Sequence, residues 1–243
     1  MKIGVIIQAR MGSTRLPGKI MKDLKGKTVL EHVIERVKQS KYIDDIIIAT
    51  TIHNRDSIIE SEALKCGVKV FRGSEDDVLS RYYYAAKEND LDVIVRITSD
   101  CPLIDSKILD EIIQFYTKSK YDIVSNAGSD LINRTYPRGL DIEVFSYEVL
   151  KNSFNQASEK YQREHVTPYI YENFSVAYYK SDVDYSVYRL TLDTDEDLEL
   201  IATIYEYLYQ GKHDFYLRDI IQLFKKYPEL TGINAHIEQK KIK

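Results

Sequence analysis

A chain of 243 residues, 44% hydrophobic and 30% charged, carries enough apolar side chain to bury a sizeable core as one large domain. Its formal charge of −4 gives no general attraction to phosphate polymers, which argues against a nucleic-acid partner and requires any anion site to be built locally. With no leader, no membrane-spanning run and only Cys66 and Cys101, the chain is expected to be cytoplasmic, reduced and without a membrane partner.

The first element is the buried strand IGVIIQ (3–8), which runs into the loop ARMGSTRLPGK. Leu30, Val33, Ile34 and Val37 follow with helical spacing, and Thr28 with Glu31 forms a capping-box signature at that helix start. Strands are predicted at 45–51, 68–71 and 92–98, and Ser74 to Asp77 opens the helix between the last two. Tyr82, Tyr83 and Tyr84 read as amphipathic helix surface rather than a base-stacking platform. Strands separated by helices imply right-handed crossovers and a mainly parallel sheet, so the fold class is α/β.

Farther along, a helix (105–119) and a strand (121–125) precede NAGSDLINRTYPRG, a turn-rich stretch that reads as a substrate-side loop. A strand at 140–145 and further helix follow. SVAYYK (175–180) and VYRLTL (187–192), joined by SDVDYS, read as a hairpin. With the preceding helix they make 165–192 an arm whose tyrosines suit a homodimer interface, on a single domain spanning 1–243. Helices at about 195–210 and 216–226 and a Lys-rich end, EQKKIK, close the chain.

The loop after the first strand is where an open α/β sheet places its ligands. Arg10, Arg15 and Lys19 supply three cations, Ser13 and Thr14 supply hydroxyls, and Gly12 and Gly18 let backbone N–H groups approach an anion. That inventory suits a triphosphate. It is not a P-loop, because five residues separate Gly12 from Gly18 and Ile20 stands where a hydroxyl is needed, and no dinucleotide fingerprint is present.

Two carboxylates end strands at the same sheet edge: Asp100 after DVIVRIT and Asp193 after VYRLTL, with Asp195 two residues on. In an extended segment Asp193 and Asp195 share a side and could hold one cation. A turn former at Asp100 and a helix cap at Asp193 or Asp195 remain the alternatives. Zinc lacks a Cys or His pair near Cys66 or Cys101, a Gly-x-Ser-x-Gly elbow is absent, and His165 is read as structural or as a substrate-side or interface residue.

QARMGSTRLPGK resembles the opening signature of the sugar cytidylyltransferases, the group of the CMP-KDO and CMP-sialate synthetases. FRGSEDDVLSRY (71–82), RITSDCPLID (96–105), YPRGLDIEVFS (136–146) and REHVTPYI (163–170) are similar to the spore coat polysaccharide proteins of SpsF type within it. The resemblance implies a Rossmann-like, GT-A-like nucleotidyltransferase domain with a mixed, mainly parallel sheet and a small dimerisation arm. It also implies transfer from CTP to a sugar, sugar acid or sugar phosphate, with Mg²⁺ as cofactor and pyrophosphate as product.

By that resemblance Gln8 and Ala9 lie near the base, and Arg10, Gly12, Ser13, Arg15, Lys19 and Arg72 handle the triphosphate. Asp100 and Asp193, with Asp195 beside them, hold the metal, and Arg10, Lys19 and Asp100 carry the catalysis. Arg138, Asp141 and Glu143 face the sugar, although strand-face alternation explains the last two equally well. Two departures from the family pattern stand out: Ser99 replaces a frequent glycine, and Gln8 replaces the proline of the wider group, which leaves another NTP open. The competing expectations are a GT-A-like glycosyltransferase using a nucleotide sugar and a nucleotide-binding module without turnover.

Overall fold

Alternate residues of the opening run go to opposite sides of one sheet, Val5 and Ile7 into one apolar cluster and Ile6 into another. This run is β1 (Ile3–Gln8), a strand buried on both faces, as parallel strands covered by helices must be. The computed structural model describes residues 1–127 and 134–238. The other strands of its sheet are β2 (Asp45–Thr51), β3 (Lys69–Gly73), β4 (Val93–Thr98), β5 (Ile123–Ser125), β6 (Glu143–Ser146) and β7 (Val176–Tyr178). They form a seven-stranded sheet in the order β3-β2-β1-β4-β6-β5-β7.

β1 pairs in parallel with β2 and β4, β2 with β3, and β5 with β7, whereas β6 runs antiparallel to both its neighbours. Connections leave β1 in one direction and β4 in the other. The carboxyl ends of these two strands, Gln8 beside Thr98, therefore mark the switch point at which an α/β sheet opens a crevice.

One sheet face is covered by α1 (Val29–Val37), α2 (Ser57–Lys65), α4 (Ser106–Lys118), α8 (Asp195–Leu208) and α9 (Leu217–Lys226). The other carries α3 (Val78–Glu88), α5 (Tyr147–Gln156) and α7 (Pro168–Asn173), with α6 (Lys160–His165) against α3. Thr28 caps α1 by accepting from the Glu31 N–H at 3.0 Å, as the sequence predicts. At α3 the work is split: Asp77 accepts from Ser80 N, and Ser74 Oγ accepts from Asp77 N. Among the described residues no helix is long and apolar enough to cross a membrane.

Most predicted elements appear with ends shifted by up to three residues. The exception is the hairpin. Its first strand is β7, which pairs with β5 as the edge of the main sheet, and residues 187–192 form no strand beyond an isolated bridge between Arg138 and Arg189. Leu190 and Leu192 are fully buried, so this segment is drawn inward and its N–H groups donate to Arg138 O (2.7 Å) and Asp100 O (2.9 Å). Gly139 makes the approach feasible: a Cβ there would lie 2.4 Å from the Leu190 backbone, and its φ is +93°. Residues 128–133 of the turn-rich stretch and 239–243 of the Lys-rich end lie outside the described residues.

Candidate active site

The loop leaving β1 is fixed by apolar anchors. Leu16 and Ile20 are buried at 4% and 1% exposure, Met11 N donates to Asp56 Oδ1 at 2.7 Å, and Met11 O accepts from both Ser13 N and Gly18 N. Gly18, at φ +67°, turns the chain into a short 3₁₀ turn over Lys19–Met21. Arg15 and Lys19 project from these anchors into a cavity of about 280 Å³ at the switch point. Gln8, Ala9, Arg10, Gly12 and Ser13 line it too, as the sequence motif leads one to expect.

Asp100 and Asp193 reach the same cavity from distant parts of the chain. The hydrogen bond from Leu192 N to Asp100 O fastens the two segments side by side. Lys19 Nζ then donates to Asp100 Oδ2 at 2.7 Å, Asp193 Oδ1 at 2.8 Å and Leu192 O at 2.7 Å. The other Asp193 oxygen is ion-paired with Arg15 at 2.7 Å and accepts from Arg189 at 3.0 Å. Burial alone would push the Asp100 carboxyl up, but the Lys19 charge and hydrogen bonds from Lys19 and Thr98 hold it below the ordinary carboxylate range. Lys19 is the mirror case: burial acts to lower its pKa, and the two carboxylates outweigh that and raise it.

Asp195 does not join this group. It is the exposed first residue of α8 and lies outside the cavity lining, because the helix has already begun there and the two-residue period of an extended segment no longer applies. Asp197 turns inward in its place. Fully buried, it accepts from Arg189 at 2.8 and 2.9 Å, from the N–H groups of Asp193 and Thr194, and from Asn234 Nδ2. Asp197 thus sets both the backbone at Asp193 and the guanidinium that holds its carboxylate. The signal for it was Thr194-x-x-Asp197, a capping box realised in the structure.

Arg72 is also placed elsewhere. Its guanidinium is spent on Thr51 O, His53 O, Ser57 Oγ and Glu60 beyond the end of β2, outside the cavity lining. Arg81, one turn into α3, lines the cavity instead. It is 2% exposed, its Nη1 donates to Ser74 O at 2.8 Å, and its buried Nε has no partner among the described residues. Burial lowers its pKa, so an anion arriving in the cavity would relieve a real cost.

The three residues expected to face a sugar are not brought to the cavity. Asp141 pairs with Arg134 at 2.5 Å, and Arg138 joins the backbone bridge to Arg189. Glu143, 5% exposed, lies opposite Arg96 across the β4–β6 ladder and accepts from it, from Thr167 and from Tyr171. Strand alternation sent Glu143 inward, where a carboxylate needs donors. Ser99, in the position where a glycine was expected, lies on the cavity wall, and so do Glu164 and His165 from the end of α6.

Comparison with known proteins agrees with this geometry. Residues 4–230 match the family model described as cytidylyltransferase. The chain is 36% identical to the spore coat polysaccharide biosynthesis protein SpsF of Bacillus subtilis, covering 92% of this chain and 94% of that protein. A solved cytidylyltransferase from Leptospira borgpetersenii superposes with a TM-score of 0.89 at 40% identity, over 99% of each chain. CMP:2-keto-3-deoxy-manno-octonic acid synthetase, solved with CTP, shares the fold at a TM-score of 0.66 and 19% identity, over 85% of this chain and 99% of that one. A cation-rich loop at the switch point, two converging carboxylates and a match over nearly the whole chain lead to one conclusion: this protein belongs to the cytidylyltransferase family.

Proposed function

We propose that the protein transfers the cytidylyl group of CTP to a sugar, sugar acid or sugar phosphate, releasing pyrophosphate, to supply surface polysaccharide or glycan synthesis. The observation that carries this reading is the meeting of Asp100 and Asp193 on one ammonium, Lys19, beside the loop that holds Arg10 and Arg15.

The donor set suits Mg²⁺. Carboxylate oxygens from two segments converge on a single point charge, and hard oxygen donors beside a phosphate-sized cavity are what this ion takes. Held by Asp100 and Asp193, Mg²⁺ would supply charge neutralisation at the α-phosphate and the departing pyrophosphate. With the carboxylates so engaged, the Lys19 ammonium, on its flexible stem, would be available to phosphate oxygens. Arg10 is already half-exposed, and Arg15 reaches the same side of the cavity. The acceptor oxygen attacks the α-phosphorus in line, the bond to the β-phosphate oxygen breaks, and the cations stabilise the charge that develops on pyrophosphate.

The test is a pyrophosphate-release screen of four nucleotides against a panel of sugars and sugar phosphates. CTP should be the productive nucleotide. Asp100→Asn should lower the rate on the order of 1000-fold, as expected when charge stabilisation at a phosphoryl centre is lost. Release that is indifferent to this substitution refutes the assignment.

A further inference from the structure

Gln8 ends β1 on the cavity wall, and beneath it lies a buried layer of hydrogen-bonding groups. Arg96 occupies the middle of that layer. Its Nη1 donates to Glu143, the residue opposite on β6, and its Nη2 donates to Gln8 Oε1 at 3.2 Å. Glu143 is held in turn by Thr167 Oγ1 at 3.0 Å and the Tyr171 hydroxyl at 2.7 Å. The Tyr82 hydroxyl sits among three acceptors, Ile6 O at 3.2 Å, the same Gln8 oxygen at 3.3 Å and Ile97 O at 3.4 Å, and burial pushes its pKa up to about 12, so it remains a proton donor at neutral pH.

This layer decides which way the carboxamide points. A guanidinium has N–H donors and no acceptor, so the end of Gln8 that meets Arg96 must be the oxygen. Reversing the amide would set its NH₂ against the donors of Arg96. The NH₂ is therefore the end left toward the cavity, and it has no acceptor among the described residues.

We propose that this oriented amide reads the nucleotide base: Gln8 Nε2 donates to the N3 and O2 acceptors of cytosine and confronts the N3–H of uracil with a second donor. Arg96, Tyr82 and Glu143 act as positioning residues through Gln8. The inference rests on the CTP reading above and adds the group that selects the base. A neutral carboxamide contributes little to binding a polyanion. It separates two ring systems that differ in which atom carries a proton, because the wrong one leaves a desolvated polar pair unmatched.

The test measures equilibrium binding of CTP and of UTP in Mg²⁺ by calorimetry, with no acceptor present, so the unknown sugar does not enter. Wild-type protein should prefer CTP. In Gln8→Glu the carboxylate still accepts from Arg96 and Tyr82 but offers the cavity an acceptor. CTP should weaken and UTP tighten, with the CTP/UTP affinity ratio falling on the order of 100-fold. Gln8→Met, similar in shape but without either polar atom, should weaken CTP and bring the ratio toward one without tightening UTP. The gain for UTP is the decisive readout, since a damaged fold cannot produce it. A Gln8→Glu protein that keeps the wild-type ratio overturns the role of Gln8 alone. Wild-type protein that binds neither nucleotide overturns this inference together with the CTP reading.

Discussion

Two buried groups of titratable side chains, one around Asp193 and one around His32, handle the same physical difficulty in opposite ways. At Asp193 full charges are kept: Arg15, Lys19, Asp100, Arg189 and Asp197 meet within one connected network beside a cavity. At His32 charge is discarded. His32 Nε2–H donates to Leu24 O at 2.6 Å, which leaves Nδ1 to accept from His213 Nε2 at 2.7 Å, and Tyr205 and Tyr209 pack against the ring. Burial pushes both imidazoles down, His213 to about 3 with help from Arg36, His32 and Lys27, although Glu35 approaches its Nδ1 at 3.3 Å. Charges are retained where the network opens onto a cavity and pairs with itself. Where nothing but packing is required, neutral hydrogen bonds avoid the desolvation penalty.

The comparison breaks most sharply at Lys19. Lys19→Met should reduce nucleotidyl transfer on the order of 100-fold or more by pyrophosphate release, since a preorganised cation at the leaving group is gone. It also leaves Asp100 and Asp193 facing each other. The melting temperature of the variant should therefore rise more on exchanging EDTA for Mg²⁺ than that of the wild type; equal shifts would show that the two carboxylates do not hold the ion.

Next in size is Asp197→Ala, which removes two of the hydrogen bonds of Arg189 and leaves two backbone N–H groups without their acceptor. It should cost about 3 kcal/mol or more in urea denaturation, in line with other broken buried pairs. A loss within the range of a surface substitution would mean that water reaches this network.

The His32 region predicts an acid response. His213 stays neutral when folded down to about 3 but takes a proton near 6.5 when unfolded. Between those values the unfolded chain binds more protons, so stability is greatest above pH 6.5 and declines as pH falls toward 3. Asp100, also held low, acts in the same direction only below the carboxylate range, which leaves pH 6.5 to 4.5 to the histidines. Urea midpoints across that window should slope downward in the wild type and lie flatter in His213→Gln. The smallest effect is expected at Asp195, where the Asn variant should change turnover by less than about twofold, as for an exposed position without partners in the site.

Much of this was legible in the chain itself. The strands at 3–8, 45–51 and 92–98, the Thr28 cap and the cation-bearing loop follow from period, capping chemistry and the preference of glycine-framed cations for anions. Asp100 was identifiable as a strand-end acid, whereas the segment before Asp193 read as a strand that the structure does not form. The placements that differ share one cause: each required knowing how an element meets its neighbours. Asp195 is paired with Asp193 by an extended reading that runs one residue into a helix, and Asp197 shows only as a helix-cap acid. Arg72 is put on the triphosphate by the resemblance, and nothing local tells that its guanidinium is taken up by the turn after β2 while Arg81 lines the cavity. Glu143 looked like a ligand because its partner, Arg96, is 47 residues away.

The sequence by itself determined the α/β class, the family signature and the cation-rich, glycine-framed character of the first loop, since all three depend on short-range patterns of polarity and backbone freedom. Tertiary structure alone decided that Leu190 and Leu192 are buried rather than paired in a hairpin, that Asp193 joins Asp100 on one ammonium, and that the Gln8 amide oxygen meets Arg96. The physical reason is that burial and hydrogen-bond complementarity are properties of neighbours in space. A guanidinium beneath an amide fixes its direction, and no stretch of sequence contains both.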